Sequence, residues 1–139
     1  MFLVSLLMLV LSGCASVRLI ADYDEQVDAA VTQFQRKLES FLVSLERNAG
    51  NEEASYARNT KFYDEARVDL SAITVRAAAI PDNDITTRQL DLLSKNVKLL
   101  EKIHKTGINA NDIPPIRTAF NTSCTAILKL ELAKKRGKS

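Results

Sequence analysis

The chain reads as an all-α protein, an up-down-up-down four-helix bundle. Three observations predict this fold. Apolar residues recur at alternating three- and four-residue steps, short turn-rich breaks separate the segments that carry them, and no stretch alternates with period two. A three-helix bundle with one loose segment is the other arrangement the pattern allows. Hydrophobic residues make up 46% of the chain and charged residues 26%, a balance that favours a packed core over disorder.

The first helix is expected from about Asp22 to Asn48, with Val27, Val31, Phe34, Leu38, Phe41 and Leu45 on one seam. Gly50 supplies a residue able to take the left-handed conformation of a helix stop. The second is expected from about Glu52 to Ile80, on the row Tyr56, Asn59, Tyr63, Ala66, Leu70, Ile73, Ala77 and Ile80. Pro81-Asp82-Asn83-Asp84 breaks the chain, with Asp84 placed to cap the third helix.

The third helix is expected from about Ile85 to Thr106. Its row is Leu90, Leu93, Val97, Leu100 and His104, widened by Leu92, Leu99 and Ile103, and Gly107 ends it. The fourth takes Asp112 as its cap and Pro114-Pro115 in its first turn, where a missing amide donor does no harm. Ile116, Phe120, Cys124, Ile127 and Leu130 are expected on its inner face. The bundle domain thus occupies residues 22–136, with a short tail at 137–139. Alternation of the helices puts the chain start, the Pro81 turn and the chain end on one side, and the Gly50 and Gly107 turns on the other.

The first residues carry a different signal. Phe2, Leu3, Val4, Leu6, Leu7, Met8, Leu9, Val10 and Leu11 form an apolar run about half as long as the ~20 residues a membrane-spanning helix needs. A short apolar core followed by small residues is the pattern of an export signal. Leu11-Ser12-Gly13-Cys14 resembles the lipobox of bacterial lipoprotein precursors. The resemblance implies a signal peptide at 1–13, acylation of Cys14 after cleavage, and a lipidated linker at 14–21. Several acyl chains, at ~0.8 kcal/mol per buried methylene, make a stable anchor. No Lys or Arg precedes the apolar core, which departs from the usual signal. In this class an Asp after the cysteine favours the inner membrane. Ala15 stands there instead, so the expected location is the outer membrane, facing the periplasm.

The formal net charge of +2 argues against nucleic acid as a partner. Glu101-Lys102-Ile103-His104 has the Glu-x-x-His spacing of carboxylate-bridged di-metal bundles, but His104 is the only histidine and such sites need two copies. Met1 and Met8 fall in the signal and no Cys-x-x-Cys-His occurs, so no haem, and no other cofactor or metal, is expected. Cys124, on an apolar row, is expected to be buried and unreactive.

Two polar groups of residues remain. Tyr56, Asn59, Tyr63 and His104 should gather at the outward tip, as a register-fixing polar layer or as a small recognition site. Lys134, Lys135, Arg136 and Lys138 end the fourth helix on the membrane side, either as a solvated helix end whose cations suit the dipole's negative pole or as a contact with anionic lipid. Together these features read as a membrane-anchored, non-enzymatic envelope lipoprotein with a binding, structural or assembly role. Its partners are membrane lipid through Cys14 and either another envelope protein or a second copy. The alternative is a sensor whose bundle core holds a small molecule or a metal.

Overall fold

The computed structural model describes residues 20–137, so the segment 1–13 expected to be a signal peptide, Cys14 and Lys138 lie outside the described residues. Among the described residues four α-helices occur in order: α1 (Glu25–Arg47), α2 (Thr60–Ala78), α3 (Asp84–Thr106) and α4 (Ile113–Arg136). No strand occurs among the described residues. Each helix packs on its neighbours in sequence, and α4 returns against α1 to close the ring. The fold is the expected four-helix bundle.

Asp24 starts α1. Its Oδ1 accepts the amide hydrogens of Gln26 at 2.8 Å and Val27 at 2.9 Å, satisfying donors the first turn would leave bare. The seam then buries Val27, Val31, Phe34, Leu38, Phe41, Leu42 and Leu45. Full burial of a large apolar side chain contributes about 1.5–3 kcal/mol, so this one row supplies much of the folding force. Gly50, at φ 85°, turns the chain after α1.

The second helix starts later than its seam suggests. Two short 3₁₀ turns, Glu52–Ala54 and Tyr56–Arg58, precede it, and α2 proper begins at Thr60. The cause is local. Asn59 Nδ2 donates to the carbonyls of Glu53 (2.8 Å) and Ser55 (2.7 Å), a side-chain competitor to helical pairing. From Tyr63 to Ala77 the row is as expected, with Tyr63, Ala66, Leu70, Ile73 and Ala77 buried, while Ile80 is half-buried just past the end of α2.

In α3 the row Leu90, Leu93, Val97, Leu100 and His104 is buried, and it extends back through Thr86. Leu92 and Leu99 do not widen it; they are 50% and 55% exposed. Gly107, at φ 106°, ends α3. Asp112 makes no side-chain cap for α4. Its Oδ2 instead accepts the Asn109 amide at 2.8 Å, closing the turn Ala110–Asp112. In α4 the buried row is Ile113, Phe120, Cys124, Ile127, Glu131 and Lys134, while Ile116 and Leu130 are half-buried.

Ion pairs between helices fix the register along the outside. Lys37 of α1 meets Asp69 of α2 at 2.6 Å, and Arg117 of α4 reaches both Glu39 and Glu46 of α1 at 2.8 Å. Among the described residues no helix is long and apolar enough to cross a membrane.

Candidate functional site

The Gly50 and Gly107 turns meet at one end of the bundle, and there α1, α2 and α3 contribute an aromatic cluster. Phe41 stacks on Phe62 with ring centroids 3.8 Å apart, and Tyr63 stands edge-on to both. Tyr56, from the second 3₁₀ turn, lies against Tyr63 and the His104 ring.

His104 is the hub. Its Nε2 lies 2.7 Å from the Ala54 carbonyl oxygen, which can only accept, so Nε2 carries a proton. In the neutral ring, Nδ1 then accepts the Tyr63 hydroxyl hydrogen at 2.7 Å. Both ring nitrogens are therefore occupied. A metal at His104 would have to displace one of these bonds, and among the described residues no three His, Cys, Asp or Glu side chains gather as a metal site. Burial pushes the Tyr63 hydroxyl well above its ordinary pKa, with the Glu101 charge adding to the effect.

Glu101 sits one helical turn before His104 and serves different partners. Burial alone would raise its carboxyl pKa. The hydrogen bonds from Tyr56, Lys105 and Arg67 outweigh that effect and hold it below the usual range. Tyr56 donates at 2.7 Å, Arg67 of α2 at 2.6 Å, and the Lys105 ammonium lies 3.3 Å away. The Lys105 ammonium also stands 5.0 Å from the centroid of the Tyr56 ring. The Glu-x-x-His spacing thus places two polar groups on one face, as expected, and the bundle uses them to bind α2 and the 3₁₀ turns to α3.

Above this layer lies an open depression lined by Gly50, Asn51, Ala54, Ser55, Tyr56, His104, Lys105 and Gly107. The structure brings Tyr56, Tyr63 and His104 together. Asn59 stands apart from them, its amide spent on the Glu53 and Ser55 carbonyls. Glu101, singled out in the sequence only for its Glu-x-x-His spacing, completes the cluster with Arg67 and Lys105, which sequence reasoning missed. Lys105 could have been found from its four-residue spacing to Glu101, while Arg67 could not, because nothing in α2 says which way it reaches.

The opposite end removes one residue, Lys134, from the expected basic surface. Lys134, expected among the lipid-facing cations, is buried, with only 4% of its surface exposed. Its ammonium donates to Asn83 Oδ1 at 2.6 Å, to Thr86 Oγ1 at 2.8 Å and to Glu131. Glu131 in turn accepts from the Thr86 hydroxyl at 3.1 Å. Position 134 continues the Phe120, Cys124, Ile127, Glu131 row, so helical geometry turns it inward. Lys135 and Arg136 remain exposed, and the Lys135 ammonium lies 5.2 Å from the centroid of the Tyr23 ring.

Cys124 is 1% exposed, and burial pushes its thiol up to about 11. A thiol held so far above neutral is a poor nucleophile. Among the described residues, no buried side-chain nitrogen or oxygen lacks a hydrogen-bond partner. Comparison with protein-family models, with curated proteins and with solved structures finds no match for this chain.

Proposed function

We propose that the chain is a lipid-anchored, non-enzymatic component of the bacterial envelope, facing the periplasm from the outer membrane and serving as a binding or assembly accessory. The anchor is Cys14, and the working end is the Gly50–Gly107 tip. One observation carries this reading: α1 begins at one end of the bundle, and the half-buried Tyr56 with its open depression lies at the other. A tether at the chain start therefore leaves that depression free. Tyrosine beside lysine offers an apolar face with polar handles, the composition that recognition sites favour. A core sensor of metal or small molecules is less well supported, because both His104 nitrogens already have partners.

The anchor is tested by Cys14→Ser, which should yield an uncleaved precursor that takes up no labelled fatty acid. Continued cleavage before residue 14 with unchanged membrane fractionation would remove the anchor. The tip is tested by Asn51→Arg with Asn109→Arg against Lys135→Ser with Arg136→Ser, each folded protein being used for capture from solubilised envelope. Loss of a stoichiometric partner in the tip pair alone supports the assignment. Loss in the tail pair alone reverses it. Lys134 has no place in the tail set, since its substitution would disturb the core.

A further inference from the structure

Charge is divided unequally between the two halves of the bundle. Helices α3 and α4 carry ten Lys and Arg against four Asp and Glu, whereas α1 and α2 carry six against seven. Two of the four acids in the basic half, Glu101 and Glu131, are buried. The other two, Asp84 and Asp91, are on α3. The solvent face of α4 carries no acid at all.

Apolar residues are set into this basic half. Ile85, Leu92 and Leu99 repeat every seven residues along α3 and are 44%, 50% and 55% exposed. Asn96 shows which way the row faces. Its side chain donates to Ser123 of α4 at 3.0 Å, so this flank of α3 is the one turned to α4. Leu92 and Leu99 sit four residues before and three after Asn96, on the same flank and farther out. They overlook the α3–α4 groove, whose α4 side carries the half-buried Ala126, Leu130 and Ala133. Arg88, Lys95 and Lys102 border the row on α3, and Lys129 and Arg136 border it on α4; all five are exposed. Of these only Lys95 makes a salt bridge among the described residues, with Asp91.

We infer that this α3–α4 face is a docking surface for an anionic lipid bilayer, so that the bundle lies along the membrane on its side. Leucine and isoleucine enter the headgroup boundary, while long Lys and Arg stems cover apolar surface and keep their charges at the phosphates. Each basic group near a charged leaflet adds a further favourable contribution. The face contains no Phe, Tyr or Trp, the residues that centre a protein–protein contact, and its charges run the length of α3. The acidic groups of α1 and α2 are carried on the other half of the bundle. This orientation does not depend on acylation of Cys14. It leaves the Tyr56–His104 depression at one end of the bundle, opening along the membrane plane.

The test uses residues 15–139, which hold all four helices but neither Cys14 nor the apolar run Phe2–Leu11, in co-sedimentation with vesicles of phosphatidylcholine alone or with one-third phosphatidylglycerol. Binding should require phosphatidylglycerol and weaken as salt rises. Leu92→Ser with Leu99→Ser, and separately Lys102→Glu with Lys129→Glu, should each reduce the partition coefficient at least about tenfold. Circular dichroism should show both pairs folded, as expected for exposed positions. Val68→Ser with Val75→Ser on α2, also apolar and still more exposed, should leave binding unchanged. Equal binding to both vesicle types, or an unaltered Leu92/Leu99 pair, would overturn the proposal. So would a dimer that the Leu92/Leu99 pair dissociates while vesicles bind neither form.

Discussion

Glu131 and Lys134 form an ion pair one helical turn apart on the inner row of α4, with side chains 0% and 1% exposed. Thr86 and Asn83 complete the network from α3 and the turn before it. Two charges removed from water this thoroughly recover the cost of desolvation only while both remain and their spare hydrogen-bonding capacity is used.

Removing one partner should therefore be far worse than removing both. Lys134→Met is expected to destabilise the protein by about 3–5 kcal/mol, leaving Glu131 buried and unpaired. Glu131→Leu combined with Lys134→Met should recover most of that loss. Urea unfolding of the two singles and the double provides the measurement, and strictly additive losses would show that the pair is not coupled.

Tyr63→Phe should cost about 1–3 kcal/mol with helix content retained, because it leaves His104 Nδ1 buried with nothing to accept from. Tyr56→Phe should cost less, since Glu101 keeps Arg67 and Lys105. Denaturant melts that reverse this order would assign the structural role to the wrong tyrosine.

Asp24 both caps α1 and pairs with Arg76 of α2, Oδ2 to guanidinium at 2.8 Å. The Arg76 hydrogen bond, opposed by burial and assisted by the Val27 and Gln26 amides, holds its carboxyl below the ordinary range. A depressed folded pKa means the unfolded chain binds the proton more readily. The resulting stability is complete above the unfolded value of about 4 and is lost as pH falls through the lowered folded value. Asp24→Ala should cost about 1–2 kcal/mol at neutral pH, and Asp24→Asn less, because asparagine still caps. Both should flatten the acid limb of a stability–pH curve, and an unchanged limb would exclude Asp24 as its source.

Cys124 makes the opposite prediction on the alkaline side. Its folded thiol titrates at about 11, above the ordinary thiol value, so its contribution is intact at neutral pH and falls as pH rises from the unfolded value toward 11. At pH 8, in the Cys14→Ser protein, a maleimide should label the native thiol at least about a hundredfold more slowly than the unfolded one. Comparable rates would mean the inner face of α4 opens.

Most of the α1 seam was legible because every position on it is apolar, so the 4–3 rhythm stands out unaided. The α4 row was legible only as far as Ile127. Continuing the same rhythm leads to Glu131 and Lys134, but charged side chains there look like solvent-facing positions until a partner from α3 is known. Leu92 and Leu99 erred in the reverse direction, apolar residues assigned inward that the bundle leaves outside. At the tip, alternation of the helices puts Tyr56, Asn59 and His104 at one depth, and of these the structure brings Tyr56 against the His104 ring. The Ala54 carbonyl that fixes the histidine could not be anticipated, because Asn59 holds the chain in 3₁₀ turns that periodicity reads as helix.

The backbone amide of Asp24 lies 3.5 Å from Glu131 Oε2, so the start of α1 and the last turns of α4 are neighbours. The two chain ends of the bundle therefore lie on the same side, beside the buried Glu131–Lys134 pair. A linker from Gly137 back to Asp22, with a new start cut into the exposed turn at Gly107, is expected to give a circular permutant that keeps the four-helix ring. In such a permutant the depression beside His104 would carry the new termini, and the end now holding the chain start would become a plain loop.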